Sequence, residues 1–131
     1  MWFPSFPLAC HVMTQDSRQA LIELLFLSLY LDDHLSLAED NVLNEALESL
    51  GWESPQPRDH FIFAAFAAAR EASANLEKTQ KFVIARADLL TRDGEEASGI
   101  TWLNKVLGAD GFSPSEKYFL GKLEARLFPV A

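Results

Sequence analysis

Two acidic turns contain the residues of this sequence that are best suited to chemistry. The first turn is DDHLSLAE (residues 32–39) and the second is ADGFSPSE (residues 109–116). Each follows an apolar stretch and leads from Asp to Ser, and a Glu comes three residues after that Ser. Because hard cations such as Ca²⁺ and Mg²⁺ bind carboxylate oxygens, the turns predict a divalent-cation site. Its predicted ligands are Asp32, Asp33, Glu39, Asp110 and Glu116.

The same turns also have a simpler interpretation as helix caps. Ser36 with Glu39, like the Ser and Glu of the second turn, has the spacing of a capping box. Asp favours turns, and Glu in the first helical turn suits the helix dipole. Capping explains Asp32, Asp33 and Asp110 least, so these three residues carry the cation hypothesis. The spacing alone leaves both interpretations open.

The sequence contains no set of residues typical of an enzyme. It has no H-E-x-x-H motif, no P-loop, no G-x-G-x-x-G motif and no Glu-x-x-His pair. Its three histidines are scattered, and the single cysteine, Cys10, has only its neighbour His11 nearby in sequence. One cysteine also excludes an intrachain disulfide and suits a reducing compartment. We therefore expect a protein without catalytic activity.

Composition and charge limit the classes of partner. The chain has 131 residues, of which 49% are hydrophobic and 23% charged, as is typical of one folded globular domain. Its net charge of −8 argues against nucleic acid and anionic membrane surfaces as partners. The longest apolar run, residues 20–31, is too short for the ~20 residues that span a bilayer, so no membrane insertion is expected. We expect a cytoplasmic protein.

Breakers and capping residues divide the chain into six predicted helices, with no strand-like alternation. The predicted spans are residues 16–31, 37–50, 57–73, 76–91, 94–107 and 114–128. The first is apolar on nearly all sides, which predicts a buried central helix. We expect an all-α, single compact domain (residues 1–131) of about six antiparallel-packed helices. Residues 1–15 form an irregular N-terminal strap that packs on the body, or alternatively on a partner.

Several local features add expectations about how these helices begin, end and pack. Asp16 is expected to cap the first helix and Asp93 the fifth. Gly51 is expected in a left-handed helix end, and Gly99 at a close contact between helices. The boundary at residues 73–75 is weak, so the third and fourth helices could also form one long helix. Leu76 and Tyr118 fall on the stripes expected to face inward.

The two turns, in this helical context, resemble the TerB-like family, which is named for tellurite-resistance operons. The pattern A-D-G-x-x-S-x-x-E follows an apolar helix; residues 109–116 match it with one residue deleted, and residues 32–39 match it with Asp33 in place of the glycine. The resemblance covers residues 16–128. It implies a helical fold, acidic residues gathered on one face, divalent-metal binding and a role in stress-response or membrane-associated complexes, without catalysis.

The functional expectation combines the turns with this resemblance. It is a non-enzymatic, TerB-like helical domain that binds Ca²⁺ or Mg²⁺ through its acidic turns and docks to partner proteins in a tellurite or stress response. The alternative is a plain helical protein-interaction module without metal, in which the acidic residues are caps and solubilising charge.

Overall fold

The computed structural model describes residues 13–31, 47–107 and 114–128. These ranges contain the helices α1 (Gln15–Leu31), α2 (Arg58–Ala72), α3 (Leu76–Arg92), α4 (Glu96–Leu107) and α5 (Pro114–Leu127). Residues 47–50 are also helical and belong to the second predicted helix, and no strand occurs in the described ranges. The predicted all-α fold of about six helices is confirmed.

Helix α1 is the centre of the domain. From Leu21 to Leu29, every side chain except that of Glu23 is at most 2% exposed. A helix without a polar face needs neighbours on every side, and α1 contacts all four of the other helices. Burial of a leucine or phenylalanine side chain contributes about 1.5–3 kcal/mol. The prediction of a buried central helix is therefore confirmed.

Helix α2 packs closely against α1. The rings of Phe26 and Phe66 are stacked, with centroids 3.9 Å apart, and Tyr30 meets Phe66 edge-on at 6.2 Å. Ala65 and Ala69 are buried at this contact side of α2. Their small side chains allow the helix to come close, so the aromatic stack and the alanines fix α2 beside α1.

Helix α3 runs antiparallel to α1. Arg86 donates two hydrogen bonds of 3.2 Å to the Glu23 carboxylate in the middle of both helices. Ser17, near the start of α1, donates to Asp93 at the end of α3. The Arg86 guanidinium also lies 3.8 Å from the centroid of the Phe82 ring. The bonds between Arg86 and Glu23 join the two helices at their middles, and the bond between Ser17 and Asp93 joins the start of α1 to the end of α3.

The cap of α1 differs from the prediction. The Thr14 hydroxyl accepts a hydrogen bond of 3.1 Å from the Ser17 backbone N–H, so Thr14 caps the helix. The helix begins at Gln15, and Asp16 lies inside its first turn. Asp16 accepts a hydrogen bond from Arg92 instead. Thr14 is preferred because its hydroxyl can donate to Asp93 while it caps the helix.

Asp93 does not cap the fifth predicted helix, α4. Its carboxylate accepts hydrogen bonds from Thr14, Ser17 and Arg92. Gly94 follows in a left-handed conformation (φ +71°), and α4 begins at Glu96. The carboxylate is therefore directed towards α1, because three donors converge there.

The open question about residues 73–75 is settled, since α2 and α3 are separate helices. The Asn75 side chain caps α3 by accepting a hydrogen bond of 2.9 Å from the Lys78 N–H. The Thr79 hydroxyl donates to the Ala72 carbonyl at 2.7 Å, which satisfies an acceptor at the end of α2. These bonds stabilise the break between the two helices.

Two glycines behave as predicted. Gly51 follows the helical residues 47–50 with φ +85°, and its N–H donates to the Leu47 carbonyl at 3.2 Å. This is the left-handed helix end that the sequence indicates. At Gly99, a Cβ atom would lie 3.1 Å from Leu21 Cδ2, so α4 approaches α1 closely there.

No described helix is both long enough and apolar enough to cross a membrane.

Candidate functional site

The predicted cation ligands fall almost wholly beyond the described ranges. Asp32, Asp33, Glu39 and Asp110 lie outside the described residues, and Glu116 belongs to α5 without a described side chain. Residues 1–12 of the N-terminal strap lie outside them as well. Within the described ranges, no group of three or more His, Cys, Asp or Glu side chains is arranged to hold a metal ion. The cation site stays a prediction.

Leu31, which precedes the first acidic turn, and Pro114, which belongs to the second, are both described and share one location. Leu31 is the last residue of α1 and precedes Asp32; Pro114 is the first residue of α5 and follows the Ser of the second turn. Both Leu31 and Pro114 line the same surface groove. The residue before the first turn and one residue of the second turn therefore line the same groove.

This groove lies mainly between α3 and α5 and has a volume of about 880 Å³. The stretch of α3 that lines it, from Leu76 to Ile84, rises ~12 Å, and the stretch of α5, from Pro114 to Arg126, rises ~18 Å. Most of the lining is apolar. The apolar residues are Leu31, Leu76, Val83, Ile84, Pro114, Tyr118 and Phe119.

Exposed apolar side chains are concentrated at this groove. Six large hydrophobic residues are exposed in the described part of the chain, and four of them line the groove. They are Leu31 (39% exposed), Ile84 (41%), Tyr118 (68%) and Leu76 (72%). Apolar surface of this kind marks interaction sites on soluble domains.

The prediction that Leu76 and Tyr118 face inward is wrong. Both have the helical spacing of the core stripe, but each lies at its edge, beside the groove that separates α3 from α5. Phe119, the neighbour of Tyr118, takes the buried position on α5. The groove residues that sequence reasoning missed are thus edge residues of correctly predicted helices.

The charge of the groove differs from that of the chain. The chain has 19 acidic and 11 basic residues, whereas the described residues lining the groove include Lys122 and Arg126 and no acid. Arg126 donates to both oxygens of Asp88, at 2.9 and 3.0 Å. The Lys122 ammonium lies 5.4 Å from the centroid of the Tyr118 ring. The groove is therefore apolar, with two cationic side chains at its rim, of which Arg126 is paired with Asp88.

Three polar residues that line the groove, Ser73, Asn75 and Thr79, take part in helix ends. The Ser73 hydroxyl donates to the Arg70 carbonyl at 2.7 Å, and the Thr79 hydroxyl to that of Ala72. Neither is paired with a base in the described residues, as an activated nucleophile would be. Asn75 caps α3. These three groups stabilise helix ends.

Among the described carboxylates, Asp93 has a clearly shifted pKa, and it lies away from the groove. Hydrogen bonds from Arg92, and also from Thr14 and Ser17, lower the pKa of Asp93 to about 2. This cluster lies at the start of α1 and the end of α3. The groove is lined by the opposite ends of these two helices. Asp93 therefore anchors the two helices.

The chain matches no model of a known protein family, no curated protein and no solved structure. The resemblance to the TerB-like family rests on the two turns and stays a prediction.

Proposed function

We propose that this protein is a non-enzymatic docking module of the cytoplasm, whose groove between α3 and α5 binds an α-helical segment of a partner protein. One observation carries the proposal: four of the six exposed large hydrophobic residues in the described ranges line this groove. A partner that covers Leu76 and Tyr118 removes their apolar surface from water, which is favourable.

The dimensions of the groove favour a helix as its occupant. Walls of ~12 and ~18 Å accommodate about 8–12 residues of helix, or two to three turns. An amphipathic helix docks in such a groove through apolar anchors spaced three or four residues apart. A groove open between two helices leaves the polar face of that helix in water.

A second copy of the same chain suits the groove less well. Each copy carries a net charge of −8. Two whole copies, each with this charge, repel each other more strongly than one copy repels a short helix that carries a few carboxylates, so self-association is the less favourable case. The proposal therefore commits to a helix of another protein.

Selection from a peptide library tests the docking proposal. A library of helical peptides of about 14 residues, or four turns, is selected on the immobilised full-length protein. We expect enriched peptides to carry apolar anchors on one face. Leu76→Asp should weaken their binding at least about ten-fold, because the substitution places a carboxylate in an apolar contact. Fluorescence anisotropy measures the dissociation constants.

Phe63→Asp is the matched control for this experiment. Phe63 is 77% exposed on α2 and does not line the groove, so its substitution should leave the affinity unchanged. The proposal is wrong if the enriched peptides bind Leu76→Asp as tightly as the wild type. It is also wrong if the wild-type chain is a dimer that Leu76→Asp dissociates, since a second copy then fills the groove.

We also propose that the two acidic turns bind a divalent cation, Ca²⁺ or Mg²⁺, beside this groove. The placement of Leu31 and Pro114 in one groove supports the proposal, because it brings the attachment points of both turns together. The resemblance to the TerB-like family favours a stress-response or membrane-associated complex as the setting. A cation bound beside the groove would place positive charge next to a docked partner helix.

Calorimetric titration with Ca²⁺, Mg²⁺, Mn²⁺ and Zn²⁺ tests the cation proposal. We expect one ion to bind with a dissociation constant below about 1 mM. The double substitution Asp32→Asn with Asp110→Asn should abolish this binding. The control, Asp59→Asn with Glu71→Gln, removes two exposed carboxylates from α2 and should not affect it. If no ion binds in this range, or both double variants bind equally, the module works without metal.

A further inference from the structure

The positive charges of the groove follow one wall. Tyr118, Lys122 and Arg126 are spaced four residues apart on α5, so they lie along one face of that helix. Opposite them, α3 contributes Leu76 and Ile84. Along two turns of α5, the wall of the groove therefore carries first an aromatic ring and then two cations.

The two cations differ in how they are paired. Arg126 holds Asp88 in a two-pronged hydrogen bond that compensates its charge. Lys122 forms no ion pair within the described part of the chain, and its ammonium lies over the Tyr118 ring. Lys122 is thus the cation left for a ligand.

A docked apolar helix changes the surroundings of Lys122. It covers Tyr118, the ring nearest to the ammonium, and removes water from that side. A charge that loses water without gaining a partner is costly. The loss is offset when the docked helix supplies a carboxylate. The same carboxylate finds no acidic residue to repel it among the described residues that line the groove.

We propose that the partner is an acidic amphipathic helix, with an Asp or Glu that pairs with Lys122 while apolar residues on the same face cover Leu76 and Tyr118. The inference rests on the docking function proposed above and specifies its partner. Four residues of α5 rise ~6 Å, or about one turn. The acidic residue of the partner therefore lies about one turn from the apolar anchor that covers Tyr118.

A charge exchange tests this inference. A peptide enriched in the selection is made in three forms, with Glu, Gln or Lys at its acidic position, and each is titrated against the full-length protein by fluorescence anisotropy. On the wild type, the Gln form should bind about three- to ten-fold more weakly than the Glu form, and the Lys form more weakly still. On Lys122→Glu, the order should reverse, so that the Lys form binds best.

Lys105→Glu is the matched control, because Lys105 is exposed on α4 and lies outside the groove. It makes the same change in net charge and should keep the wild-type order of affinities. If the selected peptides carry no acidic residue, or if the three forms bind the wild type equally, the inference is overturned while docking stands. If Leu76→Asp leaves every form bound as before, the docking function itself fails. If Lys105→Glu also reverses the order of affinities, the reversal reflects net charge alone. The role proposed for Lys122 is then overturned.

Discussion

Among single residues, Asp93 shows how a charged side chain joins distant parts of this chain. Thr14 and Ser17 lie more than 70 residues before it, yet both hydroxyls donate to its carboxylate, at 2.6 and 3.0 Å. Arg92 donates from the adjacent position. Hydrogen bonds to a charged acceptor are stronger than neutral ones. The cluster fixes the start of α1 against the end of α3.

The pH dependence of stability tests this role. The pKa of Asp93 is lowered from 3.8 to about 2 in the folded protein. The stability that its charge provides is therefore fully present above about pH 4 and is lost as the pH falls through about 2. Asp93→Asn should lower the free energy of unfolding at pH 7 by about 1–2 kcal/mol. Denaturant unfolding at several pH values should show this difference shrinking below pH 4.

Asp16→Asn is the control for this measurement, because Asp16 binds the same guanidinium, that of Arg92, at an exposed position. Exposed ion pairs contribute about 0–1 kcal/mol. At pH 7, Asp16→Asn should therefore lower the free energy of unfolding by less than Asp93→Asn does. Equal effects of the two substitutions, or a difference between Asp93→Asn and the wild type that does not depend on pH, would contradict the assignment.

At the scale of helices, Gly99 controls the distance between α4 and α1. A Cβ atom at this position would lie 3.1 Å from Leu21 Cδ2 and 3.4 Å from Leu90 Cδ1. Leu21 and Leu90 are fully buried, and side chains in a close-packed core yield little to added atoms. Extra atoms in a well-packed core cost about 1–3 kcal/mol. Over most of its range this cost exceeds the ~1 kcal/mol that alanine gains over glycine in a helix.

Gly99→Ala should therefore destabilise the protein, and Gly121→Ala provides the matched comparison. Gly121 lies in α5, and no atom lies within 4 Å of a Cβ placed there. Its substitution should raise the free energy of unfolding by about 0.5–1 kcal/mol through helix propensity. Thermal unfolding of both variants measures the contrast. Two stabilised variants would show that α4 and α1 are not closely packed at Gly99.

Local signals explain why the helices were predictable. The apolar run of α1, the break near Pro57 and the glycine at residue 51 act through neighbours in sequence, and each feature lies where the sequence places it. The cap of α1 was predicted at Asp16 because the bond between Thr14 and Asp93 depends on tertiary structure. Tertiary contacts of this kind override local preference.

The groove depends on how helices are spaced, which the sequence does not reveal directly. The spacing of Leu76 and Tyr118 fits the core stripe, and only the separation of α3 from α5 leaves them exposed. One local signal was available: Tyr118, Lys122 and Arg126 repeat every four residues and combine an aromatic ring with two cations. That pattern describes a helix edge rather than a buried face.

For the whole molecule, the distribution of charge shapes how a partner arrives. The chain carries −8 overall, whereas the described groove lining is positive. Charges beyond about 8–10 Å are screened at physiological salt, so an acidic helix feels Lys122 mainly after contact.

The central claim is that a partner helix lies in the groove, and site-specific photocrosslinking tests it most directly. A benzophenone amino acid replaces Tyr118 in one sample and Phe63 in another, both at exposed positions. A selected peptide is added, and mass spectrometry measures the crosslinked fraction. We expect crosslinking from position 118, competed by unlabelled peptide, and background levels from position 63. Equal crosslinking from both positions, or crosslinking from position 63 alone, would contradict it.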